Sequence, residues 1–162
     1  MATMKISGDI FAFDIDEDEI IEDMHEALYE GAGILADAVR EEIGKIPVND
    51  QPWKGESGRT TRISTLTSAQ KEGLLNGLGV AKHREEDGSV NTRIGFSGYN
   101  AHATKAHPNG EPNALVARAV ESGTSFRAKT PIVRPAVRRV RQAAIDAMAK
   151  KFEEKQKGRM QK

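Results

Sequence analysis

His102 and His107, in the run from Ala101 to His107, are the residue types best suited to holding a metal. Their i, i+5 spacing is not the i, i+4 of a helical zinc pair, and no third ligand lies nearby in sequence. A solvated loop is expected there, without a metal. Asp14, Asp16 and Asp18 have the odd-position acid spacing that opens a calcium loop. Such a loop needs a glycine where Glu19 stands and a glutamate where His25 stands, so these acids are read as complementing a helix dipole instead. Ser122, Thr124 and Ser125 supply hydroxyls in a glycine turn, yet no Gly-x-Ser-x-Gly elbow surrounds them. A phosphate-cradling Gly-x-x-x-x-Gly-Lys run is absent, and there is no cysteine for a thiolate nucleophile or ligand. The sequence therefore predicts no catalysis and no cofactor.

The remaining charged cluster is cationic. Arg134, Arg138, Arg139 and Arg141 follow Arg127 and Lys129, and Arg134, Arg138 and Arg141 recur at a spacing that shares one helix side. Such a face can contact phosphates without reading base sequence, with salt-dependent binding, or it can pair with acidic groups of a neighbouring subunit. A free-standing DNA-binding module normally carries net positive charge, whereas this chain has 24 basic and 24 acidic residues. The balance hides a separation. Residues 1–30 hold one basic and ten acidic side chains, and residues 118–162 hold thirteen basic and four acidic. Either two solvated helix faces carry opposite signs, or the subunit is polar and its acidic end meets a basic end, on itself or on another ring.

The elements that position these residues follow from periodicity. Phe11, Phe13 and Ile15 alternate, which predicts an extended arm over residues 1–15. Ile21, Met24, Leu28, Leu35, Val39, Ile43 and Ile46 mark one stripe of a long amphipathic helix ending before Pro47. Gly31 and Gly33 lie within it, where each costs about 1 kcal/mol relative to alanine unless another backbone packs closely. Residues 47–65 lose all period and form a long loop that holds Trp53, and a short helix is expected around 67–76. Two strand-like runs flank Asp87-Gly88 and predict a hairpin over about 78–96, with Val90, Thr92, Ile94 and Phe96 on one face. A helix over 113–122 points Leu115, Val116, Ala119 and Val120 inward and ends at Gly123 in a left-handed cap. The last helix starts between Pro131 and Pro135 on the stripe Val133, Val137, Val140, Ala144, Met148 and Phe152, and residues 153–162 fray.

These signals describe an α+β fold in a single domain, 1–162, with a long N-terminal helix and a basic C-terminal helix packed on a small antiparallel sheet. Fifteen glycines against eight aromatic residues predict much backbone in turns. No apolar run approaches the roughly 20 residues that span a bilayer, so no membrane partner is expected. The N-terminus has no basic region followed by an apolar one, and secretion is not expected.

The order of motifs carries a resemblance. Gly73-Leu74-Leu75-Asn76-Gly77-Leu78-Gly79-Val80 leads into a hairpin ending Arg93-Ile94-Gly95-Phe96. Glu121-Ser122-Gly123-Thr124-Ser125 then leads to Pro131-Ile132-Val133-Arg134-Pro135-Ala136. Over roughly residues 20–155 the chain resembles the tail-component family of long-tailed double-stranded DNA bacteriophages, the neck or tail-completion proteins. The Glu-x-Gly-Thr to Arg-Pro-Ala segment (Glu121, Gly123, Thr124, Arg134, Pro135) is its most specific part. Ile132 stands where an aromatic residue is common. The resemblance implies a structural virion subunit, assembled in the host cytoplasm into a ring, sixfold by preference, at the head–tail junction around the DNA path. Its neighbours would be portal-side head-completion proteins and tail-tube proteins. A tail terminator that caps the tube is the alternative within the class, and a small DNA-binding protein using Arg134, Arg138, Arg139 and Arg141 is the alternative outside it. Subunit contacts are expected at Trp53, Phe126, Arg127, Lys129 and Thr130.

Overall fold

The computed structural model describes residues 3–4, 17–51, 62–86 and 89–160. Most of the expected arm and loop, with Trp53 and the Asp87-Gly88 turn, lies outside them. The fold is α+β, in the order β1 (Thr3–Met4), α1 (Glu17–Lys45), α2 (Ser68–Gly77), β2 (Leu78–Val80), β3 (Arg84–Glu86), β4 (Ser89–Asn91), β5 (Ile94–Phe96), α3 (Asn113–Ser122) and α4 (Val133–Met160). The chain divides into two compact units. The first comprises residues 1–35, 80–94 and 140–162, and the second comprises residues 36–79 and 95–139.

In the first unit β4 is the central strand, paired antiparallel with β1 and with β3. Glu86 faces Ser89 in the register of the β3–β4 pair. The alternation also holds, with Val90 and Thr92 buried and Ile94 and Phe96 half-buried. Each expected long strand is, however, two short ones. Between them the Thr92 hydroxyl donates to the Ala81 carbonyl at 2.6 Å and the Ala81 amide donates to the Arg93 carbonyl at 2.7 Å. β2 pairs with β5 to form the second, two-stranded sheet.

Val90 meets Met24, Ala27 and Leu28 of α1 and Met148 of α4, with Ile20, Ile21 and Phe152 packed around them. Gly31 belongs to this seam. A Cβ there would stand 2.5 Å from the Met148 Cγ and 3.1 Å from the Ala144 carbonyl, so close helix packing accounts for it. Gly33 faces open space and has no such account.

The opposite charges of the two chain ends meet here, inside one chain. Asp23, with no exposed surface, accepts from Arg159 Nε at 2.8 Å, Arg159 Nη2 at 2.9 Å and Gln156 Nε2 at 2.9 Å. Glu26 pairs with Lys155 and Lys151, and Arg159 also pairs with Glu19. These pairs correct the expectation of fraying from residue 153: α4 runs on to Met160. The apolar period fades there, and side-chain pairing with α1 takes its place. The stripe also shifts in phase. Ile132 and Ala136 are buried at the start of α4, while Val137 is exposed.

In the second unit, Thr67 caps α2. Its hydroxyl accepts from the Gln70 amide and the Gln70 side chain accepts from the Thr67 amide, both at 3.2 Å. This is a reciprocal capping box. Thr67→Ala is expected to lower stability by about 1 kcal/mol in urea denaturation, the ordinary cost of an N-cap. The Lys71 ammonium donates to the Gly44 and Ile46 carbonyls at 2.7 and 2.8 Å, closing the C-terminal end of α1. Asn113 and Asn100 are buried between α2 and the loop before α3. Asn113 donates to the Ser97 carbonyl at 2.8 Å and Asn100 donates to the Glu111 carbonyl at 3.0 Å. Gly73 and Gly77 leave the space these side chains occupy. On α3 the buried apolar residues are Val116, Ala117 and Val120, and Leu115, expected inward, is 46% exposed.

Candidate functional surface

The segment from Glu121 to Ala136 is built as one rigid corner of the second unit. Every helix leaves its first N–H groups without intrahelical partners. At the start of α4 the Glu121 carboxylate takes three of them: Ile132 at 2.7 Å, Val133 at 2.8 Å and Arg134 at 3.3 Å. The next residue is Pro135, which has no N–H to satisfy. The anion also sits at the positive end of the α4 dipole. The last turn of α3 thus caps the first turn of α4.

Gly123 ends α3 with φ 76° and ψ 168°. Positive φ was expected, but this ψ lies far from the left-handed helical value near +47°. The expected left-handed cap is instead a mirror-extended residue, a conformation essentially confined to glycine. A Cβ would also crowd the Lys129 amide at 3.1 Å and the Arg127 carbonyl at 3.2 Å. Thr124 closes the turn, its amide donating to the Arg127 carbonyl at 2.9 Å and its hydroxyl accepting from the Arg127 amide at 3.0 Å. The Thr130 amide donates to the Val120 carbonyl at 2.9 Å. On the other side, the Ile63 amide donates to the Phe126 carbonyl at 2.9 Å and the Ala128 amide to the Ile63 carbonyl at 2.8 Å.

This bonding separates the predicted contact residues. Arg127 points inward and is 8% exposed, donating to the Thr65 carbonyl at 2.8 Å. Burial pushes its pKa down and Glu111 opposes that. Its guanidinium is a strut of its own subunit, so its expected place among the contact side chains is corrected. Phe126 is 57% exposed, Lys129 is exposed and Thr130 is half-buried. Lys129, Pro131, Arg134, Pro135, Arg138 and Arg139 line an open groove of about 410 Å³.

The groove's cations differ in their engagement. Arg134 stands 3.6 Å from Glu121, and Arg139 pairs with Glu41 at 2.6 Å and Glu42 at 3.4 Å. Among the described residues, no ion-pair partner is found for Lys129 or Arg138. Arg141 is likewise exposed and without an ion-pair partner among them. The surface therefore offers an aromatic ring and uncommitted cations on a stiff frame. It can take carboxylates or phosphates.

His102 and His107 stay apart from any cluster of potential ligands among the described residues. Their amides are bonded locally, His102 to Asn100 Oδ1 at 2.9 Å and His107 to Thr104 Oγ1 at 3.1 Å. A cluster the sequence reading missed brings together His25, His83 and Glu85 in the first unit. These residues lie far apart in the chain, so no local spacing announces them. No family model, no curated protein and no solved structure matches the chain.

Proposed function

We propose that the chain is a structural virion subunit that assembles into a ring, sixfold by preference, at the head–tail junction of a long-tailed phage. The observation that carries the reading is the Glu121–Ala136 corner, because its rigidity is spent on presentation. Capping by Glu121, the Gly123 bend and the buried Arg127 hold the loop from both sides and leave Phe126 and Lys129 facing out. An exposed aromatic residue on a preorganised loop is the residue type enriched among interface anchors. The resemblance of the same segment to tail-completion proteins supports the station, with tail terminator as the other place in the same assembly. The uncommitted Arg138 and Arg141 favour one second reading, phosphate contact with duplex DNA.

Phe126→Asp with Lys129→Glu is expected to weaken self-association at least about tenfold, as loss of an anchor does, while leaving the thermal midpoint of the subunit nearly unchanged. Sedimentation velocity across a concentration series checks it. Unaltered assembly of the double variant would remove the loop from the interface. In parallel, Arg138→Glu with Arg141→Glu distinguishes the DNA reading, since phosphate contacts would give tight duplex binding that falls steeply with salt.

A further inference from the structure

We propose that His25, His83 and Glu85 form a binding site for a divalent transition-metal ion of the zinc class. One imidazole comes from α1, the other from the residue before β3, and the carboxylate from β3 itself. Each offers a ligand atom, and these atoms all lie within 4.8 Å of one another. Two imidazoles and a carboxylate suit zinc and its neighbours, while calcium and magnesium take oxygen ligands.

The distances favour an ion over a simple stacked pair. Glu85 Oε1 stands 3.3 Å from His25 Nε2. Bonds of about 2.0–2.2 Å from zinc to nitrogen and oxygen, at tetrahedral angles, set two ligand atoms about 3.4 Å apart. The His25 Nε2 atom is buried and makes no hydrogen bond, so the contact with Glu85 leaves its polar atom unsatisfied. An ion between the two would satisfy it. The rings of His25 and His83 lie face to face, with centroids 3.3 Å apart and 22° between planes. An ion would require the half-buried His83 ring to tilt out of this stack about its contact with Tyr29, which keeps Nδ1 beside that oxygen.

Second-sphere support is present as well. The Tyr29 oxygen lies 3.4 Å from His83 Nδ1 and accepts from the His83 amide at 3.2 Å. With Nδ1–H turned to that oxygen, the Nε2 lone pair of His83 is free to ligate, the usual arrangement for a metal-bound histidine. Three protein ligands leave a fourth position for water. The ion would join α1 to β3 and so brace the first unit.

The test is titration of the full-length protein with zinc chloride by calorimetry, with thermal denaturation alongside and cobalt(II) absorption as a report of coordination. The expected result is one saturable site, a raised thermal midpoint and the visible bands of low-coordinate cobalt. His25→Gln and His83→Gln each reduce the affinity at least about tenfold, and His102→Ala with His107→Ala leaves it unchanged. Glu85→Gln, at an exposed carboxylate, keeps the test open if a histidine variant does not fold. No saturable binding would overturn the proposal. So would binding that survives loss of His25, His83 and Glu85, or binding abolished by loss of His102 and His107.

Discussion

Glu121→Ala is expected to lower the stability of the protein by about 2–3 kcal/mol, read as a shift of the urea midpoint at unchanged slope. The magnitude follows from what the carboxylate does. It accepts three amides at the start of α4 through charge-assisted bonds, and removing it leaves all three without their acceptor. An ordinary N-cap accepts one and is worth about 1 kcal/mol. Glu121→Gln keeps an acceptor oxygen but loses the charge that faces the helix dipole. It is expected to cost about half as much. If Glu121→Ala were neutral, the start of α4 would be held by something other than this contact, and the rigidity of the presented loop would lose its cause.

Asp23→Ala is expected to have the second large effect, at roughly 2–3 kcal/mol. Removing one member of a buried ion pair costs about 3–5 kcal/mol, and the figure here is reduced because the Arg159 side chain keeps 28% of its surface in water. The same contact predicts a pH dependence. Bonding to Arg159 holds the Asp23 carboxyl below its ordinary 3.8, so the folded state binds its proton less readily than the unfolded chain does. The stabilisation is complete above the ordinary carboxylate range and is lost as pH falls through and below it. Asp23→Asn removes that part of the acid slope. Equal slopes in the two proteins between pH 5 and the acid transition would contradict this.

Much of the fold was legible because apolar spacing does most of the positioning. The α1 stripe and the alternation through Val90 and Thr92 each bury the face that their period marks, and on the 113–122 helix Val116 and Val120 do so while Leu115 does not. The prolines placed the start of α4 for a reason that the Glu121 cap makes physical. The last turns of α4 were not legible in this way. They carry little apolar signal and are held by pairs from Gln156 and Arg159 to Asp23, residues at opposite ends of the chain. Arg127 and Lys129 look alike in sequence, and only the Thr65 carbonyl and the neighbouring Glu111 decide that one is a buried strut. The Thr67-x-x-Gln70 capping box, by contrast, stands in the sequence as a readable helix-start signal. Of the candidate surface, Phe126, Lys129 and the arginines were readable as residues, but which cations remain uncommitted required the pairing of Arg134 with Glu121 and of Arg139 with Glu41.

Native mass spectrometry of the purified chain tests the central claim most directly. Assembly into closed rings, with six copies as the leading species, is the predicted result, and the Phe126→Asp, Lys129→Glu variant should shift the population toward single subunits. A chain that stays a monomer at every concentration, and instead binds duplex DNA tightly with a steep salt dependence, would contradict the account.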